Sequence, residues 1–157
     1  MAKILLLYST RDGHTREIAW RMQQTITQEG HEATLAPISD AEVLELRDFD
    51  KIVVGASIRY GKHSAQLYEF VERHVQVLDS KPNAFFSVNV VARKPGKDRP
   101  ETNPYLRKFL RQIAWHPREL AVFAGRLDYP RYGFMDRSMI RLIMWTTKGP
   151  TDPETVV

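Results

Sequence analysis

Apolar runs alternate with helical stripes through the first 125 residues of the chain. KILLLY (3–8) is a continuous apolar run, the pattern of a strand buried on both faces. HTREIAWRMQQTITQEG (14–30) follows as a helix, with Ala19, Met22 and Ile26 at helical spacing and Gly30 where a C-terminal cap belongs. HEATLAP (31–37) alternates weakly, as a short or edge strand does, and DKIVVGAS (50–57) is β-branched and closes on small residues. SAQLYEFVERHVQVL (64–78) places Leu67, Val71, His74/Val75 and Leu78 on one helical stripe. NAFFSVNVV (83–91) predicts a fourth strand, NPYLRKFLRQIAW (103–115) a basic helix, and ELAVFAG (119–125) a fifth strand.

Such alternation within one domain (1–157) predicts an α/β fold, a doubly wound parallel sheet with helices on both faces. Five strands with ligand loops at their C-terminal ends suit the order 2-1-3-4-5. Two stretches depart from the pattern. VARKPGKDRPETNP (91–104) is a long loop rich in proline and charge, a type that is functional or disordered in compact domains. Residues 126–150 form a long insert after or within strand 5, where an ordinary domain enters its last helix. Either that closing helix is missing, or the 134–146 segment takes its place.

Composition narrows the chemistry. No cysteine is present, which removes disulfides and thiolate chemistry, and the five histidines show no ligand spacing, so no metal site is expected. MAKILLLYST reads as a first buried strand and is too short for a signal peptide, so export is not expected. No apolar stretch approaches the roughly 18 residues that a membrane-crossing helix needs. Net charge is +4, placed unevenly: residues 1–78 hold 9 Lys/Arg against 11 Asp/Glu, and residues 79–157 hold 14 against 8. A basic second half suits an anionic partner, and equally a solvated surface.

The turn after the first strand carries the clearest chemistry. Ser9-Thr10-Arg11-Asp12-Gly13-His14-Thr15 joins a buried strand to a helix, so backbone N–H groups and a helix N-terminus point outward there. Ser9, Thr10 and Thr15 add hydroxyls, Gly13 permits close backbone approach, Arg11 adds a positive charge, and Asp12 suits a helix cap. The turn matches neither the nucleoside triphosphate nor the dinucleotide fingerprint. By itself it supports an anion-binding turn, or a capped helix start without a ligand.

The motif S-T-x-D-G-x-T at 9–15 resembles the phosphate loop of the flavodoxin-like FMN proteins. VVGASIRYGKHSAQLYEFV (53–71), SVNVVARKPGKDRPETNPYLRKFL (87–110) and GRLDYPRYGFMDRSMIRLIM (125–144) together resemble the menaquinone-dependent protoporphyrinogen oxidases of bacteria. The similarity covers nearly the whole chain; the departure is a C-terminal helix that this family carries after a segment like TDPETVV.

The resemblance implies a flavodoxin-like fold whose FMN phosphate sits in the 9–15 turn. The flavin ring would lie between the loops Ser57-Ile58-Arg59-Tyr60-Gly61 and Ser87-Val88-Asn89-Val90-Val91-Ala92-Arg93. Tyr60 can cover the ring, Asn89 can bond its pyrimidine edge or the ribityl chain, and Arg59 can neutralise the reduced flavin, touch substrate or remain solvated. The insert carries Arg126, Tyr129, Arg131, Tyr132 and Arg137, aromatic cover plus guanidinium forks for a flat macrocycle with two propionates. Residues 134–145 also form a basic amphipathic helix, with Met135, Met139, Leu142 and Ile143 on one face. Segment 126–148 thus admits three uses: packing against the sheet or a dimer partner, contact with an anionic membrane, or substrate binding.

The implied activity is oxidation of protoporphyrinogen IX to protoporphyrin IX in haem biosynthesis, with electrons passed to a membrane quinone. Six electrons leave the substrate, so a two-electron flavin cycles three times. Hydride goes to FMN N5, no side chain acts as nucleophile, and none stands out as a general base. The implied place is cytoplasmic, peripheral on the cytoplasmic face of the inner membrane. Competing readings are a flavodoxin-type FMN carrier, another FMN-dependent quinone reductase, and a flavin-free nucleic-acid module. The basic insert speaks against a carrier, and nucleic acid is not expected as a partner.

Overall fold

Five parallel strands form one sheet in the order β2-β1-β3-β4-β5: Lys3–Tyr8, Glu32–Pro37, Lys51–Ser57, Asn83–Val88 and Glu119–Phe123 in chain order. A computed structural model describes residues 2–9, 13–57, 65–88, 103–123 and 137–147. Helices α1 (Gly13–Gln28), α2 (Ala65–Asp79), α3 (Pro104–Gln112) and α4 (Arg137–Thr147) complete the described residues, with two 3-10 segments at Ile38–Val43 and Leu46–Asp48.

Strand β1 pairs with β2 on one side and β3 on the other, in registers Leu6↔Leu35 and Leu6↔Val53. Apolar side chains therefore cover both faces of the central strands, and all residues of β3 and β4 are buried. Strand β2 lies at the edge and is mostly half-buried, as its weak alternation predicts. Leu5, Leu7, Ile52, Val54 and Phe85 face α2 and α3, while Ile4, Leu6, Val53 and Phe86 face α1 and α4.

Several elements end where tertiary contacts decide. Helix α1 closes as expected: Gly30 has φ +94°, His31 N donates to Ile26 O and Gly30 N to Thr27 O, a left-handed cap. The stripe of α2 is Leu67, Phe70, Val71 and Leu78; His74 departs from helical geometry (φ −115°, ψ 15°) and its ring lies 4.8 Å from that of Phe70. Helix α3 stops at Gln112 instead of running to 115, because Ile113 is extended and carries Trp115 into the core. There the Trp115 indole and the Arg118 N–H both donate to Asn83 Oδ1, at 3.1 and 3.0 Å. The two 3-10 segments, absent from the sequence reading, deliver Ile38, Ala41 and Leu46 to the core.

Helix α4 settles how the 134–146 segment is used within the described residues. Leu142 and Ile143 are buried with Ile18 and Met22 of α1, and Arg141 pairs with Glu119 at 3.1 Å. Lys51, nearly buried at the start of β3, donates to Trp145 O at 2.6 Å and sits 5.1 Å from the Trp145 ring. Within 137–147, α4 packs on the α1 face of the sheet. Among the described residues no helix is long and apolar enough to cross a membrane.

Candidate functional site

The C-terminal edge of β1, β3 and β4 gathers small hydroxyl residues in front of a helix N-terminus. Ser9 continues past β1, its N–H donating to Gly55 O at 3.0 Å, and α1 begins four residues later at Gly13. Strand β3 ends at Ser57, paired with Val88, and Ala56 pairs with Ser87. Ser9, Thr15, Ser57 and Ser87 are all buried.

Two of these hydroxyls are orphaned. Ser9 Oγ and Ser57 Oγ are shielded from solvent and meet no hydrogen-bond partner among the described residues. A buried hydroxyl left in that state costs about 1–3 kcal/mol, so serine is an expensive choice where alanine would fill the space. Hydroxyl donors beside the positive end of a long helix are the donor set that a phosphate ester takes. The residues present therefore fit the phosphate end of a bound nucleotide.

The close packing beneath the edge depends on Gly55. A Cβ at Gly55 would lie 2.0 Å from Phe86 Cζ, since the Phe86 ring lies across its Cα and meets Phe123 edge-on at 5.5 Å. That glycine stands two residues before Ser57 on the same face of β3. A glycine inside a β-branched run was the available signal for it.

Of the other candidate residues, Gly13 and His14 belong to the first turn of α1 and Val88 ends β4. Thr10, Arg11, Asp12, Ile58, Arg59, Tyr60, Gly61, Asn89, Val90, Ala92 and Arg93 lie outside the described residues. So do Arg126, Tyr129, Arg131 and Tyr132; Arg137 opens α4, and its side chain is outside the description.

A second concavity lies away from this edge. Ile38, Ser39 and Ala41 of the first 3-10 segment face Gln66, Phe70 and His74 of α2 across a cleft of about 130 Å³. The Nε2 atom of His74 is buried without a partner among the described residues; burial, and secondarily the Arg73 cation, hold its imidazole below the usual histidine range. Among the described residues no group of three or more His, Asp or Glu could hold a metal ion.

A family model described as Flavodoxin domain matches residues 5–154. A protein of Escherichia coli (strain K12) named protoporphyrinogen IX dehydrogenase [quinone] is 49% identical over 150 residues, 96% of this chain and 83% of that protein. One of Leishmania major with the same name is 46% identical over 151 residues, 96% of this chain and 65% of that protein. In fold, the chain is similar to a point mutant of flavodoxin from Pseudomonas aeruginosa: TM-score 0.62 at 15% identity, over 93% of this chain and 99% of that one. It is likewise similar to oxidised Flavodoxin 2 from Bacillus cereus: TM-score 0.62 at 19% identity, over 92% and 97%. A flavodoxin domain with this sheet order implies flavin binding.

Proposed function

We infer, from the premise that this chain belongs to the protoporphyrinogen IX dehydrogenase (quinone) family of flavodoxin-domain proteins, that it oxidises protoporphyrinogen IX and passes the electrons to a quinone. The observation that carries the reading is 49% identity across 96% of the chain with a relative of that name. FMN is the flavin we assign, because the orphaned hydroxyls and the start of α1 address one phosphate, and the turn lacks a dinucleotide fingerprint.

The chain's own contribution is binding and orientation. Ser9, Thr10, Gly13 and Thr15, with Ser57, would hold the phosphate; the residues after Ser57 and Val88 would flank the ring. A flavin held there would supply two-electron redox chemistry for oxidation of the macrocycle. Arg59, Arg93, Arg126, Arg131 and Arg137 offer guanidinium groups for the substrate's carboxylates, with Tyr129 and Tyr132 as flat cover. A quinone with a lipid tail would be met at a membrane surface, and we assign the protein to its cytoplasmic face.

Anaerobic mixing tests the reading. Purified protein should be yellow, protoporphyrinogen IX should bleach the flavin band, and a menaquinone analogue should restore it. A flavin that stays oxidised on adding the porphyrinogen removes the dehydrogenase and leaves an electron carrier.

A further inference from the structure

Helix α3 shows solvent a single face, and that face is cationic. Its sequence, PYLRKFLRQ, holds three cations and no acid. Leu106 and Phe109 are buried, whereas Pro104, Arg107, Lys108 and Arg111 are exposed, at the i, i+3, i+4, i+7 spacing of one helical stripe. None of the three cations has an ion-pair partner among the described residues; the ion pairs found there are Arg21–Glu17 and Arg141–Glu119. Like charges three and four residues apart destabilise a helix, and here no carboxylate offsets them.

The start of α3 is the end nearer the candidate flavin edge, because α3 lies between the parallel strands β4 and β5. α3 is the next described element after β4, and its fully buried cap residue Asn103 accepts from Tyr105 N and Leu106 N. Past its end, Trp115 reaches Asn83, the first residue of β4. The helix therefore runs from the C-terminal edge toward the N-terminal one, with Phe109 stacked on Phe85 of β4 at 4.7 Å. The rival membrane surface, the apolar stripe of α4, has Leu142 and Ile143 committed to the core.

We propose that the Arg107–Lys108–Arg111 face of α3 docks the protein on an anionic lipid bilayer, bringing the flavin edge to the layer that holds the quinone. This rests on the quinone-linked reading. Each cation near such a surface raises partitioning about fivefold, so three together give roughly a hundredfold, screened by salt over about 10 Å.

The test is co-sedimentation of the flavin-loaded full chain with vesicles of 30% phosphatidylglycerol in phosphatidylcholine, against phosphatidylcholine alone. Binding should need the anionic lipid and collapse in half-molar salt. R107Q/K108Q/R111Q should lower it by roughly a hundredfold while flavin content and circular dichroism stay unchanged; R131A/R137A should retain most of it. Equal binding by the triple variant, equal binding of the wild type to neutral vesicles, or preferential binding to duplex DNA would each overturn the proposal. A triple variant that fails to fold is replaced by K108Q/R111Q, with a drop of about twentyfold expected. Turnover with a water-soluble quinone is read in parallel: its absence in the wild type defeats the dehydrogenase reading and leaves the vesicle result to be judged by itself.

Discussion

Ser57 separates a functional hydroxyl from a structural one. It ends β3 on the same face as Gly55, buried, with an oxygen that no described group satisfies. A hydroxyl kept for packing would have a partner; one kept for a ligand is unsatisfied until the ligand arrives. Ser57→Ala should therefore act in opposite directions. Flavin affinity should fall about tenfold or more, the worth of a hydrogen bond to a charged group, measured by titrating the apoprotein with FMN. Melting of the apoprotein should be unchanged or slightly higher, since the unsatisfied oxygen is gone. A drop in apoprotein stability with flavin affinity intact would return Ser57 to a structural role. The sequence showed the serine; its missing partner is visible only where β1, β3 and β4 meet.

At the scale of elements, Asn83 joins three pieces that the sequence pattern treats separately. Its amide donates to Leu78 O and Lys81 O, at 2.8 and 2.9 Å, and its oxygen receives Trp115 and Arg118. The end of α2, the start of β4 and the segment before β5 are thus fixed on one buried side chain. Asn83→Ala would orphan two donors, the Trp115 indole and the Arg118 N–H, and the Lys81 carbonyl, while Leu78 O keeps the Lys81 N–H at 3.2 Å; each orphaned group costs about 1–3 kcal/mol where water cannot replace the bond. We expect a loss of about 3 kcal/mol, a fall in melting temperature of roughly 6–12 °C, with flavin retained below the transition. Thermal unfolding followed by Trp fluorescence checks it, and a shift under roughly 2 °C would mean that Asn83 is dispensable. Periodicity extended α3 to 115 because LRKFLRQIAW keeps a helical stripe; the indole bond to Asn83 is long-range and ends the helix at 112. Lys51 is a parallel case. A lysine opening a strand reads as solvated, yet α4 covers it and offers the Trp145 carbonyl.

For the whole molecule, His74 sets an acid limit on stability. Its folded titration point lies below the ordinary 6.5, chiefly through burial and next through Arg73. The unfolded chain therefore binds this proton first, so stability is full above about 6.5 and declines as pH falls through the ordinary histidine value, levelling once the folded imidazole is also protonated. Denaturant midpoints at pH 7.5 and 5.0 should show the wild type losing stability on acidification, and His74→Gln losing less. Identical losses would place the acid sensitivity elsewhere.

Hydrophobic period and turn chemistry alone determined the five strands, the edge character of β2, the Gly30 cap and the hydroxyl-rich turn after β1, because these follow from neighbouring residues, while the order 2-1-3-4-5 came from the rule for strand–helix alternation. The family resemblance carried by ASIRYG, SVNVVARKP and YPRY added the chemistry. Tertiary structure decided what depends on distant partners: the early stop of α3, the burial of Lys51, and the packing of Leu142 and Ile143 against α1. Each is fixed by desolvation or a hydrogen bond between residues far apart in the chain, which no local pattern encodes.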